Sequence, residues 1–177
     1  GQTNDERLDE WLHELDVVIH HLDPESGLEV LTYTHPGIPA YMGMNNAGLA
    51  VLWTYIDNGQ KQDGVPTNVI IRQLLSCTTL EEGVAYLQSI PHAIPNHFAL
   101  AHRTQGIVCV ECFPNAVYVQ RGEDYLVHAN HNLFYPQEKE ETCSWSPRQR
   151  CQQMERLVKE QYGKITPEVA EDFFRSH

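Results

Sequence analysis

The chain has 177 residues, and at about 100–200 residues per domain that predicts one domain whose core needs no disulfide or metal staples. Hydrophobic residues make up 41% and charged residues 20%, which excludes disorder, collagen and coiled coil. The 12 Lys and Arg against 24 Asp and Glu leave a net charge of −12. Such a surface repels phosphate backbones, so neither nucleic acid nor an anionic membrane is an expected partner.

The longest apolar stretch, around Leu49–Trp53, is far short of the ~20 residues a membrane helix needs. Nothing in the opening residues reads as a secretory leader. The first residue is Gly1 in place of Met, so a processed or longer product is expected. Full protonation of the 10 histidines would move the charge from −12 to −2, which makes it pH-sensitive. Five cysteines (Cys77, Cys109, Cys112, Cys143 and Cys151) are an odd number at irregular spacing. They do not read as a disulfide framework, and a reducing, cytoplasmic compartment is expected.

In chain order, Leu15–His21 and Leu28–Thr34 read as strands joined by the turn-rich Asp23-Pro24-Glu25-Ser26-Gly27. Tyr41–Met44 and Leu49–Tyr55 follow, separated by Asn45-Asn46-Ala47-Gly48, whose Asn and Gly residues tolerate positive φ in a tight turn. A polar loop over 57–66 leads to a helix with Thr67 as its expected N-cap and Val69, Ile70, Gln73 and Leu74 along one stretch. Thr79 with Glu82 matches a capping box, and Pro91 and Pro95 close that second helix. His97–Arg103, Ile107–Phe113, Ala116–Arg121 and Tyr125–Ala129 read as four short strands. Ser146 as N-cap, with Pro147 at the first helical position, starts a helix running to about Tyr162, and Thr166-Pro167 starts another. Two blocks of strands separated by helices argue against a doubly wound βαβ sheet. They predict an α+β layered sandwich of two mainly antiparallel sheets with helices outside.

Cys109-Val110-Glu111-Cys112 has the spacing of half a zinc site, but strand residues three apart face opposite ways, so buried structural cysteine is the reading. The histidines cluster as His20-His21, His97/His102 and His128/His131, none in the helical pattern of a metalloprotease. No nucleophile elbow, P-loop or dinucleotide fingerprint occurs. Two polar clusters remain. One is Gly1-Gln2-Thr3-Asn4-Asp5, and the other is His128-Ala129-Asn130-His131-Asn132 directly after an apolar run. An Asn amide there could donate to a developing oxyanion, and a carboxylate could orient an amine. Turn capping by Asx side chains is the competing reading.

Several segments together resemble the penicillin acyltransferase (acyl-coenzyme A:isopenicillin N acyltransferase) family of N-terminal-nucleophile hydrolases. They are GQTND at the start, GMNNAGLAV at 43–51, GVPTNVIIRQLL at 64–75, VECFP at 110–114, VHANHNL at 127–133 and SWSPRQR at 144–150. They are collinear with the family and span nearly the whole chain. The resemblance implies a four-layer αββα sandwich and a cysteine made N-terminal by autocatalytic cleavage, whose thiol attacks an amide or thioester. It also implies that Asp5 contacts the nucleophile's amino group and that Asn130 builds the oxyanion hole. Gln2 tilts the match toward the acyltransferase branch, and Gln2, Thr54 and His131 are read as substrate-facing.

Departures from the family pattern shape the expectations. The nucleophile is expected upstream of Gly1, and the closing strands beyond His177, so residues 1–177 form a single domain incomplete at both ends. Ser76-Cys77-Thr78-Thr79 imitates the family's mature start but follows Asp5, which makes Cys77 a decoy. Where the family strand ends on an active-site Asn, this chain has Leu52-Trp53-Thr54-Tyr55. The expected substrate is a small acyl amide or an acyl-CoA-like thioester. No cofactor is expected, and the oligomeric state, homo-oligomer included, stays open. Two other readings stand beside this one. One is a non-catalytic domain that has lost its nucleophile, and the other is a metal-dependent hydrolase using His128, His131 and an acid.

Overall fold

Short alternating runs punctuated by glycine turns favour hairpins, and hairpins in series favour an antiparallel meander. The computed structural model, which describes residues 14–56, 58–122, 124–135 and 145–175, has that form. Strands β1 (Val17–Leu22), β2 (Glu29–Thr34), β3 (Met42–Asn45) and β4 (Leu49–Tyr55) precede helices α1 (Thr67–Leu74) and α2 (Leu80–Ser89). Strands β5 (Asn96–His102), β6 (Gly106–Phe113) and β7 (Ala116–Gly122) follow, then α3 (Trp145–Glu160) and α4 (Pro167–Arg175). The strands lie side by side in chain order, each antiparallel to the next.

The α+β class and the antiparallel pairing stand, with one revision. Among the described residues the two strand blocks form one seven-stranded sheet and not two. The reason is β5: after the helical insertion it returns to pair with β4 along its whole length, from Leu49↔His102 to Tyr55↔Asn96. Both helices therefore cover one face of the same sheet. That face carries Leu49, Val51, Phe98, Leu100, Val108, Val110 and Cys112 against Ile70, Ile71, Leu74, Leu80, Val84 and Leu87. Each fully buried large side chain there contributes roughly 1.5–3 kcal/mol.

Three local expectations change. Residues 125–129 form no strand and have no regular secondary structure. Thr67 is the first residue of α1 and not its cap. Pro66 takes the cap position, and the Thr67 hydroxyl donates to Asn96 Oδ1 at 3.3 Å, joining α1 to β5. The third long helix begins at Trp145, one residue before Ser146. The Thr79/Glu82 capping box forms as the spacing requires. No helix among the described residues is long and apolar enough to cross a membrane.

The Gly43–Gly48 segment has a structural role. A Cβ on Gly43 would lie 2.2 Å from the Leu31 carbonyl oxygen, so only glycine lets β2 and β3 approach this closely. Asn45 is buried, and its Oδ1 accepts from the backbone N–H of Gly48 (3.1 Å) and Leu49 (3.0 Å). Its Nδ2 donates to the carbonyls of Leu75 (3.0 Å) and Cys77 (2.7 Å). One side chain thus ties the β3–β4 turn to the end of α1. Asn45→Ala strands several of these buried groups and should cost about 2–3 kcal/mol in urea unfolding. A loss below about 0.5 kcal/mol, the size of an ordinary surface substitution, would contradict this role.

Candidate functional site

The sheet face opposite α1 and α2 carries a row of polar side chains in register. Thr54 of β4 lies beside His97 of β5, His97 beside Glu111 of β6, and Glu111 beside Tyr118 of β7. The period of two assigns all four to this face, together with Leu52, Ala99 and Cys109. Cys112, three residues from Cys109, belongs to the α1/α2 core, so the two thiols sit on opposite sides of the sheet. Over the Thr54 and His97 end of the row lies a cleft of about 1540 Å³, walled by β4–β6, by residues 126–130, and by α3 and α4.

Glu111 has no exposed surface. A buried carboxylate is costly unless its oxygens are met by donors, and here three meet them. His128 Nε2 lies 2.8 Å from Oε1, Leu133 N–H donates to Oε1 at 2.6 Å, and Phe134 N–H donates to Oε2 at 3.1 Å. Phe113, Tyr118 and Tyr135 form an aromatic cluster next to it. The His128 ring lies flat on His97, centroids 3.6 Å apart and planes 5° apart, and His97 Nδ1 is 2.8 Å from Thr54 Oγ1. Burial, and then the neighbouring His128, hold the His97 pKa well below its ordinary 6.5, so His97 is neutral.

Asn130 sits at the end of this arrangement. Its Nδ2 donates to the Tyr55 carbonyl at 3.0 Å, and its Oδ1 accepts from Arg150 of α3 at 3.0 Å. The amide is therefore held between the end of β4 and a helix, and it lines the cleft, as Thr54 does. His131 is buried and stacks 6.1 Å from His128, but it does not line the cleft. Gln2 and Asp5 lie outside the described residues, as does Cys143. Glu111 and Arg150 were not singled out from the sequence, and His97 only as one of the paired histidines. For Glu111 a signal was present: it is the lone charge inside the apolar run Ile107–Phe113.

The described cysteines are poorly suited to attack. Burial followed by the nearby Glu111 pushes the Cys109 thiol up to about 12 and raises Cys112 as well. Cys77 and Cys151 are raised by burial, with Glu82 and Glu155 respectively adding to it. A thiol held protonated is a weak nucleophile. Among the described residues no group of three or more His, Cys, Asp and Glu side chains is placed to hold a metal ion.

The sequence profile of the acyl-coenzyme A:6-aminopenicillanic acid acyl-transferase family matches residues 9–176. Among solved structures, the Caenorhabditis elegans ortholog of N-acylethanolamine-hydrolyzing acid amidase is 14% identical with a TM-score of 0.76, over 99% of this chain and 79% of that one. Penicillin V acylase from Agrobacterium tumefaciens is 18% identical with a TM-score of 0.55, over 84% of this chain and 54% of that one. A variant of conjugated bile acid hydrolase from Clostridium perfringens is 13% identical with a TM-score of 0.52, over 89% and 67%. At these identities the likeness is one of fold. No curated protein sequence matches the chain.

The neutral, buried His97 has a consequence for acid stability. Its pKa is lower folded than unfolded, so the unfolded chain binds the extra proton. Its stabilising contribution is present above the ordinary 6.5 and is lost as pH falls through that value toward the folded one. Urea unfolding at about pH 7.5 and about pH 5 should show a loss on acidification, and His97→Phe, which keeps a ring beneath His128, should flatten it. An identical slope in the variant would contradict the assignment.

Proposed function

Because the chain belongs to the acyl-coenzyme A:6-aminopenicillanic acid acyl-transferase family, we propose that it is the larger part of an N-terminal-nucleophile enzyme. In this reading the enzyme cleaves or transfers an acyl group from an amide or thioester, with a cysteine upstream of Gly1 as nucleophile. The observation that carries this reading is Asn130, clamped by Tyr55 and Arg150 at the edge of a large cleft. The raised thiols of the described cysteines support a nucleophile from elsewhere in the protein.

The chemistry follows from these parts. The α-amino group of an N-terminal residue, with an ordinary pKa near 8, takes the thiol proton. The thiolate adds to the acyl carbon, and charge develops on the carbonyl oxygen. Asn130 Nδ2 carries two hydrogens. The Tyr55 carbonyl aims this amide, which is assigned as the donor to that oxyanion. A donor fixed in advance costs no reorganisation when the charge appears. Asp5 is assigned to the α-amino group, and Gln2, Thr54 and His131 to the substrate side, with Thr54 in the cleft wall and His131 stacked on His128. The α-ammonium returns that proton to the leaving amine or thiol, which departs. Water or a second amine, giving its proton to the same amino group, then releases the acyl group and frees the cysteine.

The amide substrates named for the structural neighbours pair an apolar acyl part with a polar amine part. The cleft suits the same division. Leu52, Ala99, Leu126, Val127 and Phe174 offer an apolar wall, and Arg150 and Arg156 stand on the helical side. A fatty or aryl acyl group on a small polar amine is the substrate class we assign. The four unpaired thiols among the described residues suit a reducing, cytoplasmic location.

In the full-length product, Asn130→Ala should lower kcat by roughly 10²–10³ with little change in KM. The assay measures amine released from an N-acylethanolamine, penicillin V and a glycine-conjugated bile acid, with acyl-CoA added to detect transfer. A loss below about tenfold on the best substrate, less than one oxyanion-hole donor supplies, would contradict the oxyanion assignment.

A further inference from the structure

Asn130 is held at its side chain by Tyr55 and Arg150. What holds its backbone is a different matter. The segment 125–135 contains no helix or strand, so it has no regular ladder of its own to place it. Three of its hydrogen bonds to the sheet converge on one group. Before Asn130, the His128 ring meets Glu111 Oε1 at 2.8 Å. After it, the N–H groups of Leu133 and Phe134 donate to Oε1 and Oε2 at 2.6 and 3.1 Å. Glu111 stands in the middle of β6, paired on one side with His97 and on the other with Tyr118, in a fully buried position.

We propose that Glu111 is a positioning residue: a buried carboxylate clasp that grips the chain on both sides of Asn130 and so sets where the Asn130 amide stands over the cleft. This rests on the reading of Asn130 as the oxyanion donor and adds the element that aims it. The chemistry of the clasp demands a carboxylate. Two of the partners are backbone N–H donors, one on each oxygen, and a carboxylate offers acceptor sites on both oxygens with room for the His128 ring at Oε1. In Glu111→Gln one oxygen becomes an NH₂. Whichever way the amide turns, an N–H then faces a buried backbone N–H, and one arm of the clasp opens. The flat stacking of His128 on His97, which is itself bonded to Thr54, adds a third support and fixes the ring's plane.

The test combines kinetics with amide hydrogen exchange on the full-length product. Exchange needs no substrate and reads the clasp directly: Glu111→Gln should raise exchange across 128–134 at least about tenfold while α2 stays protected. His128→Phe keeps a ring on His97 and removes one arm, and should loosen the same segment to a smaller degree. Glu111→Asp keeps the charge and should recover part of the protection.

Turnover is read on whichever of the amides above the unmodified protein cleaves fastest. Glu111→Gln should lower kcat about tenfold to a hundredfold with KM changed less than about threefold, as a displaced catalytic group does. In an Asn130→Ala background the same change should cost less than about threefold more, because the clasp acts through Asn130. Multiplicative losses in that background would overturn the proposal, and so would unchanged exchange in 128–134. If Glu111→Gln fails to fold, His128→Phe and Glu111→Asp decide by the same criteria. If Asn130→Ala alone leaves turnover intact, the oxyanion reading falls. Exchange then decides for or against the clasp independently.

Discussion

A carboxylate in the middle of a sheet is held there only by the hydrogen bonds it accepts. Removed from water, each lone pair of Glu111 costs free energy until a donor reaches it. The strand's own N–H groups are committed to β5 and β7, so the donors come from elsewhere in the chain. They come from 128–134, a stretch without regular structure, which becomes ordered on the sheet in supplying them. The stacked histidine pair lies beside this carboxylate, and Asn130 falls between the residues that reach it. The Glu111 carboxylate is one tie between this segment and β6, and the packing of Tyr135 on Phe113 is another.

The two faces of the sheet divide the work. The face under α1 and α2 is apolar, closely packed and supplies stability, with Asn45 tying the β3–β4 turn to the helices. The other face carries the polar row and the open cleft. The division is set by the period of two along β4, β5 and β6, so a register slip of one residue would exchange the faces and lose both. Antiparallel pairing over seven residues between β4 and β5 keeps that register despite the helical insertion between them.

The sequence made the local features legible. The Thr79/Glu82 capping box, the Asn45–Gly48 turn and the hairpin before Leu28 each need only a few neighbouring residues. It also carried the family, through short motifs in fixed order over nearly the whole length. The long-range pairings were hidden. That β5 returns to β4, making one sheet among the described residues where two were expected, depends on contacts 41 to 53 residues apart that no local pattern encodes. Residues 125–129 alternate like a strand yet find no partner, because their order comes from side-chain bonds at 128 and beyond. Thr67 has the chemistry of a cap, but Asn96 takes its hydroxyl. Glu111 was legible only as an anomaly, a charge where the pattern calls for an apolar residue.

The cysteines draw the account together. Burial and neighbouring carboxylates raise every thiol among the described residues, so the chemistry proposed here needs a thiol from outside them, at a chain N-terminus where an amine can serve as base. The most direct measurement is the intact mass and N-terminal sequence of the mature full-length protein, alone and after brief exposure to a cleavable acyl amide. The account predicts a cysteine at the mature N-terminus, ahead of Gly1, carrying the acyl group as a thioester. A mature chain without an N-terminal cysteine, or an acyl group found on Cys77, Cys109, Cys112 or Cys151, would contradict it.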